Sequence, residues 1–227
     1  MPELPEVETV RRGLEPALGG ARLTRVEARR PDLRFPLPPD FVQRLTGATI
    51  TALDRRAKYL LATLDRGDVL VMHLGMSGRF EITEADGGPA DRPGDFALAA
   101  PADPKHAHVV FHTGAGRTVT YFDARRFGYM GLVPAGDLAR HAWFAALGPE
   151  PLGPAFDGAL LARAFKGRKQ GPKTLLLDQR IVAGLGNIYV CEALHRAGIS
   201  PLKPAGRLSR ARLDRLADTI KAVLTEA

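Results

Sequence analysis

Cysteine is almost missing from this chain: Cys191 is the only one in 227 residues. An intramolecular disulfide is therefore excluded, and so is a zinc site built from several cysteines of this chain. Long apolar runs are missing too. No stretch reaches the roughly 18 residues that a membrane-spanning helix needs, and the N-terminus carries no apolar signal-peptide core. Neither an internal repeat nor a coiled-coil heptad is present. Acidic residues are outnumbered, with 25 Asp and Glu against 32 Lys and Arg, for a formal charge of +7. Such an excess favours polyanionic partners, nucleic acid ahead of an anionic membrane surface.

What is present reads as two halves. In the opening MPELPEVETV, Pro5 and Glu6 suit the first turn of a helix, and Leu4, Val7, Val10 and Leu14 recur at the spacing of one buried helical face. Short β-branched or apolar runs follow: YLLATL at 59–64, VLVMHL at 69–74, RFEIT at 79–83, HVVFHT at 108–113, RTVTYF at 117–122 and GYMGLV at 128–133. Turn signals at Asp65 to Gly67 and Gly114 to Gly116 separate some of them, which predicts an antiparallel sandwich or flattened barrel. The Pro-, Gly-, Ala- and Asp-rich stretch 84–105 is a loop of the length usually reserved for function or movement.

A second Pro and Gly cluster, LGPEPLGPAF at 147–156, reads as an interdomain linker, and everything beyond it reads as helical. ALLARAF at 159–165 is amphipathic, Pro172 starts a helix, and NIYVCEALHRAG runs into Gly198 as a C-terminal stop. The final stretch places Leu213, Leu216, Ala217, Ile220, Val223 and Leu224 on one face. The expectation is an α+β chain: a β-sandwich domain over 1–135, flanked by helices, a linker over 136–156, and a helical domain over 157–227.

Several residues carry chemical potential. With Met1 removed, Pro2 becomes a secondary amine with a reference pKa near ~8, partly neutral and nucleophilic at physiological pH. With Met1 retained, its nitrogen is an unreactive tertiary amide. Glu3 beside it is a candidate proton donor. Lys58, after a strand edge, is a cation that either snorkels to solvent or serves chemistry. His73, His106, His108 and His112 lack a neighbouring cysteine or carboxylate in sequence, so a structural reading outweighs a metal site. Asn187 stands near the start of a helix after GLG, where backbone N–H groups suit a phosphate, and Lys166, Arg168, Lys169 and Lys173 lie just upstream. By type alone, Met76 and Phe127 are core residues.

PELPEVETVRRGLEP at 2–16, RRAKYLL at 55–61, HLGMSG at 73–78, DARRFG at 123–128, LGPEPL at 147–152 and GLGNIYVCEAL at 184–194 together resemble the bacterial formamidopyrimidine-DNA glycosylase family. The motifs occur in that family's order and span nearly the whole chain, with small departures at Ala107 and Ala124. The resemblance implies a base-excision-repair enzyme that removes oxidised purines such as 8-oxoguanine and formamidopyrimidines from double-stranded DNA. It also implies an abasic-site lyase acting through β,δ-elimination. Pro2 would be the Schiff-base nucleophile, Glu3 the general acid and Glu6 a supporting carboxylate. Lys58 and His73 would contact the DNA backbone, with Lys58 a rival Schiff-base former. Met76, Arg125 and Phe127 would fill the void left by an extruded nucleotide, and Asn187 would belong to a helix–two-turns–helix element.

The family's C-terminal zinc ribbon has no counterpart before Ala227, so no cofactor is expected in this chain. The alternative implied by that difference is a non-catalytic remnant that binds damaged DNA. A structural RNA-binding protein is a third possibility, since helix–two-turns–helix elements resemble parts of some ribosomal proteins. The expected setting is the bacterial cytoplasm, chromosome-associated, away from membranes and as a monomer.

Overall fold

A computed structural model describes residues 2–88, 90–94 and 103–227. The fold is mixed α+β. Two compact units emerge: one comprises Pro2 and Glu6–His141, the other Glu3–Pro5 and Ala142–Ala227. Much of the 84–105 loop, at residue 89 and residues 95–102, lies outside the described residues.

The first unit holds two four-stranded antiparallel sheets. One has the order β1 (Leu23–Ala28), β6 (Ala107–Thr113), β7 (Thr118–Phe122), β5 (Arg79–Thr83). The other has the order β2 (Ile50–Arg56), β3 (Tyr59–Leu64), β4 (Asp68–His73), β8 (Tyr129–Pro134). Apolar side chains of both sheets share one core with Val7, Val10 and Leu14 of α1 (Leu4–Leu18) and with Phe41 and Leu45 of the short α2 (Phe41–Leu45). Phe41, Phe80, Phe111 and Tyr121 are its largest fully buried members. Burial of this kind contributes about 25 cal/mol per Å² of apolar surface, which is why the sheets pack face to face.

Six of the eight strands among the described residues follow the apolar runs of the sequence to within a residue or so; β1 and β2 are additions. Both carry a register shift, between Leu23 and Arg25 and between Ile50 and Ala52. The inward residues are therefore Leu23 and Val26 in β1, and Ile50 and Leu53 in β2, three apart instead of two. That spacing, with polar residues between, breaks the alternation that marks a half-buried strand, whereas the shift at Ala107–Val109 leaves the apolar run of β6 intact.

The second unit is helical: α3 (Gly158–Phe165), α4 (Pro172–Leu176), α5 (Asn187–Arg196) and α6 (Arg210–Glu226). The six α6 residues expected on one face are all buried. They form a second core with Phe156, Leu161, Phe165, Val190 and Leu194. Helix α5 stops as expected: the Gly198 and Ile199 N–H groups bond back to the His195 and Leu194 carbonyls, the double bond of a Schellman stop.

Candidate functional site

In the sheet unit, three strand ends converge. Tyr59 on β3 lies opposite His73 on β4, and His73 lies opposite Tyr129 on β8. That register stacks the His73 and Tyr129 rings at 4.8 Å and sets Tyr59 edge-on to His73 at 5.1 Å. The Tyr129 hydroxyl donates to the Tyr59 oxygen at 2.9 Å. Burial, with the Lys58 and Arg34 charges, pushes the His73 imidazole down to about 4, so it is neutral at physiological pH. Its Nδ1 accepts the Gly75 N–H at 3.0 Å. The proton must then sit on Nε2, making His73 an uncharged donor.

Lys58 sits in the two-residue turn between β2 and β3 and is only 7% exposed. Of its two readings, the one in which Lys58 merely snorkels to solvent is disfavoured by that burial. Glu6, in the first turn of α1, is half-buried, as is Pro2. Met1, whose removal decides the state of the Pro2 nitrogen, lies outside the described residues.

Two loops of the same unit carry Met76, Arg125 and Phe127, the residues expected to fill a void in DNA. Met76 lies in the β4–β5 loop and is 40% exposed; Phe127 lies in the β7–β8 loop and is 43% exposed. The core reading suggested by residue type is overturned, because both follow strand ends on turns whose packing is done by their neighbours. The Arg125 guanidinium lies 4.7 Å from the Phe127 ring centroid, a cation–π pairing that holds both side chains in one cluster. Arg34, Arg125, Arg126, Leu33 and Phe127 line an open cavity of about 380 Å³. Sequence reading did not find Arg34. Its only local signal is the unremarkable DLRF, and the Arg34 N–H bond to the Gly128 carbonyl at 3.0 Å is what sets it beside Phe127.

In the helical unit, Asn187 falls at the start of α5, where the sequence places it. Asn187 is the exposed first residue of the helix, and Gly186 takes the cap position without a side-chain bond. Three of the backbone donors at this helix start, where a phosphate is expected, are engaged by the buried Glu3 carboxylate. It accepts the N–H groups of Gly186 and Ile188 at 2.8 Å each and of Tyr189 at 3.3 Å. A Cβ at position 186 would overlap the Glu3 carboxyl group, so only glycine allows this approach. The macrodipole at the helix start favours the anion there. Sequence reading also missed Gln179, which spans the loop before α5 by donating to the Leu185 carbonyl at 2.9 Å and accepting the Gly184 N–H at 2.8 Å. Upstream, Lys166, Arg168 and Lys169 are exposed.

The histidines disperse. His73 stacks on Tyr129, His108 is buried against the Asp123 carbonyl at 2.8 Å, and His112 lies 3.0 Å from Glu27. That carboxylate, supplied by β1 across the sheet, was invisible in the sequence neighbourhood of His112. No group of three or more potential metal ligands occurs among the described residues.

Comparison with known proteins places this geometry. The Formamidopyrimidine-DNA glycosylase N-terminal domain matches residues 1–130, and the Formamidopyrimidine-DNA glycosylase H2TH domain matches residues 147–227. A formamidopyrimidine-DNA glycosylase of Caulobacter vibrioides is 70% identical over 227 residues, covering 100% of this chain and 78% of that protein. One from Methylocella silvestris is 58% identical over 233 residues, covering 100% of this chain and 79% of its own length. The crystal structure of MutM (Fpg) from Thermus thermophilus superposes with a TM-score of 0.81 at 38% identity, covering 100% of this chain and 76% of the other. A Lactococcus lactis Fpg in complex with abasic-site DNA does so with 0.84 at 33%, covering 99% and 78%. By both domain matches and by identity along its full length, this chain belongs to the formamidopyrimidine-DNA glycosylase family.

Proposed function

We propose that this protein is a bifunctional DNA glycosylase and abasic-site lyase that removes oxidised purines from duplex DNA. The observation that carries the reading, beside family membership, is the exposed pair Met76 and Phe127 with Arg125 laid against the phenyl ring. An enzyme attacking the sugar of a duplex must turn the nucleotide out of the stack, at a cost of a few kcal/mol. Methionine and phenylalanine suit the vacated space, and a guanidinium offers donors to the unpaired base opposite.

In this reading the secondary amine of Pro2, freed of Met1, attacks C1′ of the lesion nucleotide. The C–N bond to the damaged base breaks, and the base leaves with the bonding pair. As the ring opens, the Glu3 carboxylate takes the proton that the Pro2 nitrogen gives up on bonding to C1′ and delivers it to the sugar ring oxygen, giving an iminium between Pro2 and the sugar. That cation acidifies the C2′ hydrogen, so loss of the proton expels the 3′ phosphate, and a second elimination expels the 5′ phosphate. Lys58 and the neutral His73 Nε2–H bind backbone phosphates, with Asn187 and the basic residues before α5 contributing from the helical unit. Glu6 supports the reacting carboxylate and amine.

Borohydride reduction of the protein on abasic-site duplex should leave one covalent adduct, mapping to the N-terminal peptide at Pro2. An adduct that persists undiminished in Pro2→Gly, or that maps to Lys58, would refute the assignment. DNA binding without any adduct would leave a non-catalytic binder instead.

A further inference from the structure

The chemistry above leaves one buried carboxylate unused. Asp123, at the start of the β7–β8 loop, is 0% exposed. An enclosed carboxylate is costly unless donors surround it. Here three converge: the Ser77 hydroxyl on Oδ1, the Gly128 N–H on Oδ2 at 2.8 Å, and the Tyr121 hydroxyl on Oδ2 at 3.3 Å. The backbone of Asp123 is fixed as well. Its N–H donates to the His106 carbonyl at 3.0 Å, and its carbonyl accepts from His108 Nε2 at 2.8 Å. Ser77 in turn accepts the Arg125 N–H at 3.0 Å.

These bonds close a ring between the two wedge loops. Ser77 follows Met76 directly, and its hydroxyl receives from Arg125 while donating to Asp123. Gly75, on the other side of Met76, packs so closely on the Phe127–Gly128 peptide that any Cβ there would overlap it. Burial, with the Asp123 charge, holds the Tyr121 phenol well above its ordinary value, so it remains a donor.

We propose that Asp123, Ser77 and Tyr121 form a positioning cluster that locks the Met76 loop and the Arg125–Phe127 loop into one rigid wedge. Void filling and reading of the opposite base thereby depend on a carboxylate that never meets DNA. The inference rests on the proposed glycosylase reading for its catalytic consequence, although the clamp itself is a property of the sheet unit.

The test compares Ser77→Ala with the unaltered full chain. Single-turnover excision of 8-oxoguanine from duplex should slow by about 10- to 100-fold, the penalty expected of misplaced positioning groups. The spread of rates across the four opposing bases should narrow. Nicking of an abasic site in a single-stranded oligonucleotide, which has no partner base and no stack to hold open, should be unchanged. Equal slowing of both reactions, or of neither, overturns the proposal.

Hydrogen exchange supplies the readout that needs no turnover. The Arg125 and Gly128 amides should exchange faster in Ser77→Ala while the strands keep their protection; unaltered exchange at both amides also overturns the clamp. A parent protein inactive on both DNAs would sink the glycosylase reading, leaving exchange to judge the clamp. Tyr121→Phe, which deletes one donor and leaves the other two, serves the same comparison if Ser77→Ala does not fold.

Discussion

At the scale of single residues, environment has changed what familiar side chains can do. His73 is the clearest case. Its imidazole titrates near 4 in the folded chain against an ordinary 6.5. Between those values the unfolded chain takes up a proton that the folded chain refuses. The stability gained from a neutral His73 is therefore complete above about pH 6.5, declines as pH falls, and is gone below about 4. By the same linkage the contribution lost on moving from pH 7.5 to 5 is about 2 kcal/mol. Urea melts at the two pH values should show that loss in the parent and a smaller one in His73→Gln; identical pH dependence in both proteins would contradict the assignment. Type alone misled for Met76 and Phe127 for the same reason, since apolarity says nothing about which side of a turn a side chain faces.

At the scale of elements, helix starts differ in how their free N–H groups are met. Asp157 caps α3 by accepting the Leu160 N–H at 2.7 Å, whereas Ser209 before α6 makes no side-chain cap bond. Asp157→Ala should then cost about 1 kcal/mol in thermal or urea denaturation, and Ser209→Ala only a few tenths. Comparable losses from the two substitutions would show that the capping bond is not the source. Helix α5 is met in a third way, by the carboxylate of Glu3, more than 180 positions away in sequence. No local capping pattern announces such a partner. The strands teach the same lesson: β3 to β8 follow visible apolar runs, but β1 and β2, whose buried side chains fall three apart, do not.

At the scale of the whole molecule, an excess of positive charge sets the terms of DNA binding. With +7 overall and exposed cations at Arg125, Arg126, Lys166, Arg168 and Lys169, phosphate contacts should dominate affinity. The logarithm of the duplex binding constant should fall linearly with that of salt concentration. If Lys58 meets a phosphate, Lys58→Gln should flatten the slope by about 0.9, the value for one displaced counterion. His73→Gln should weaken binding and leave the slope alone, because its donor is uncharged at assay pH. A slope unaffected by Lys58→Gln, or flattened equally by His73→Gln, would remove these assignments.

Sequence by itself determined the two-part α+β organisation, the buried faces of α1 and α6, six strands, and the family to which the chain belongs. Those features are written in periodicity, turn chemistry and contiguous motifs, all of which are local along the chain. Tertiary structure alone decided that Glu3 occupies the start of α5, that Lys58 is enclosed, that His73 is neutral, and that the Asp123 carboxylate bonds to both the Met76 loop and the Arg125–Phe127 loop. Each of these depends on burial or on partners distant in sequence, and desolvation and hydrogen bonding act only once the folded chain has brought such groups to the same place.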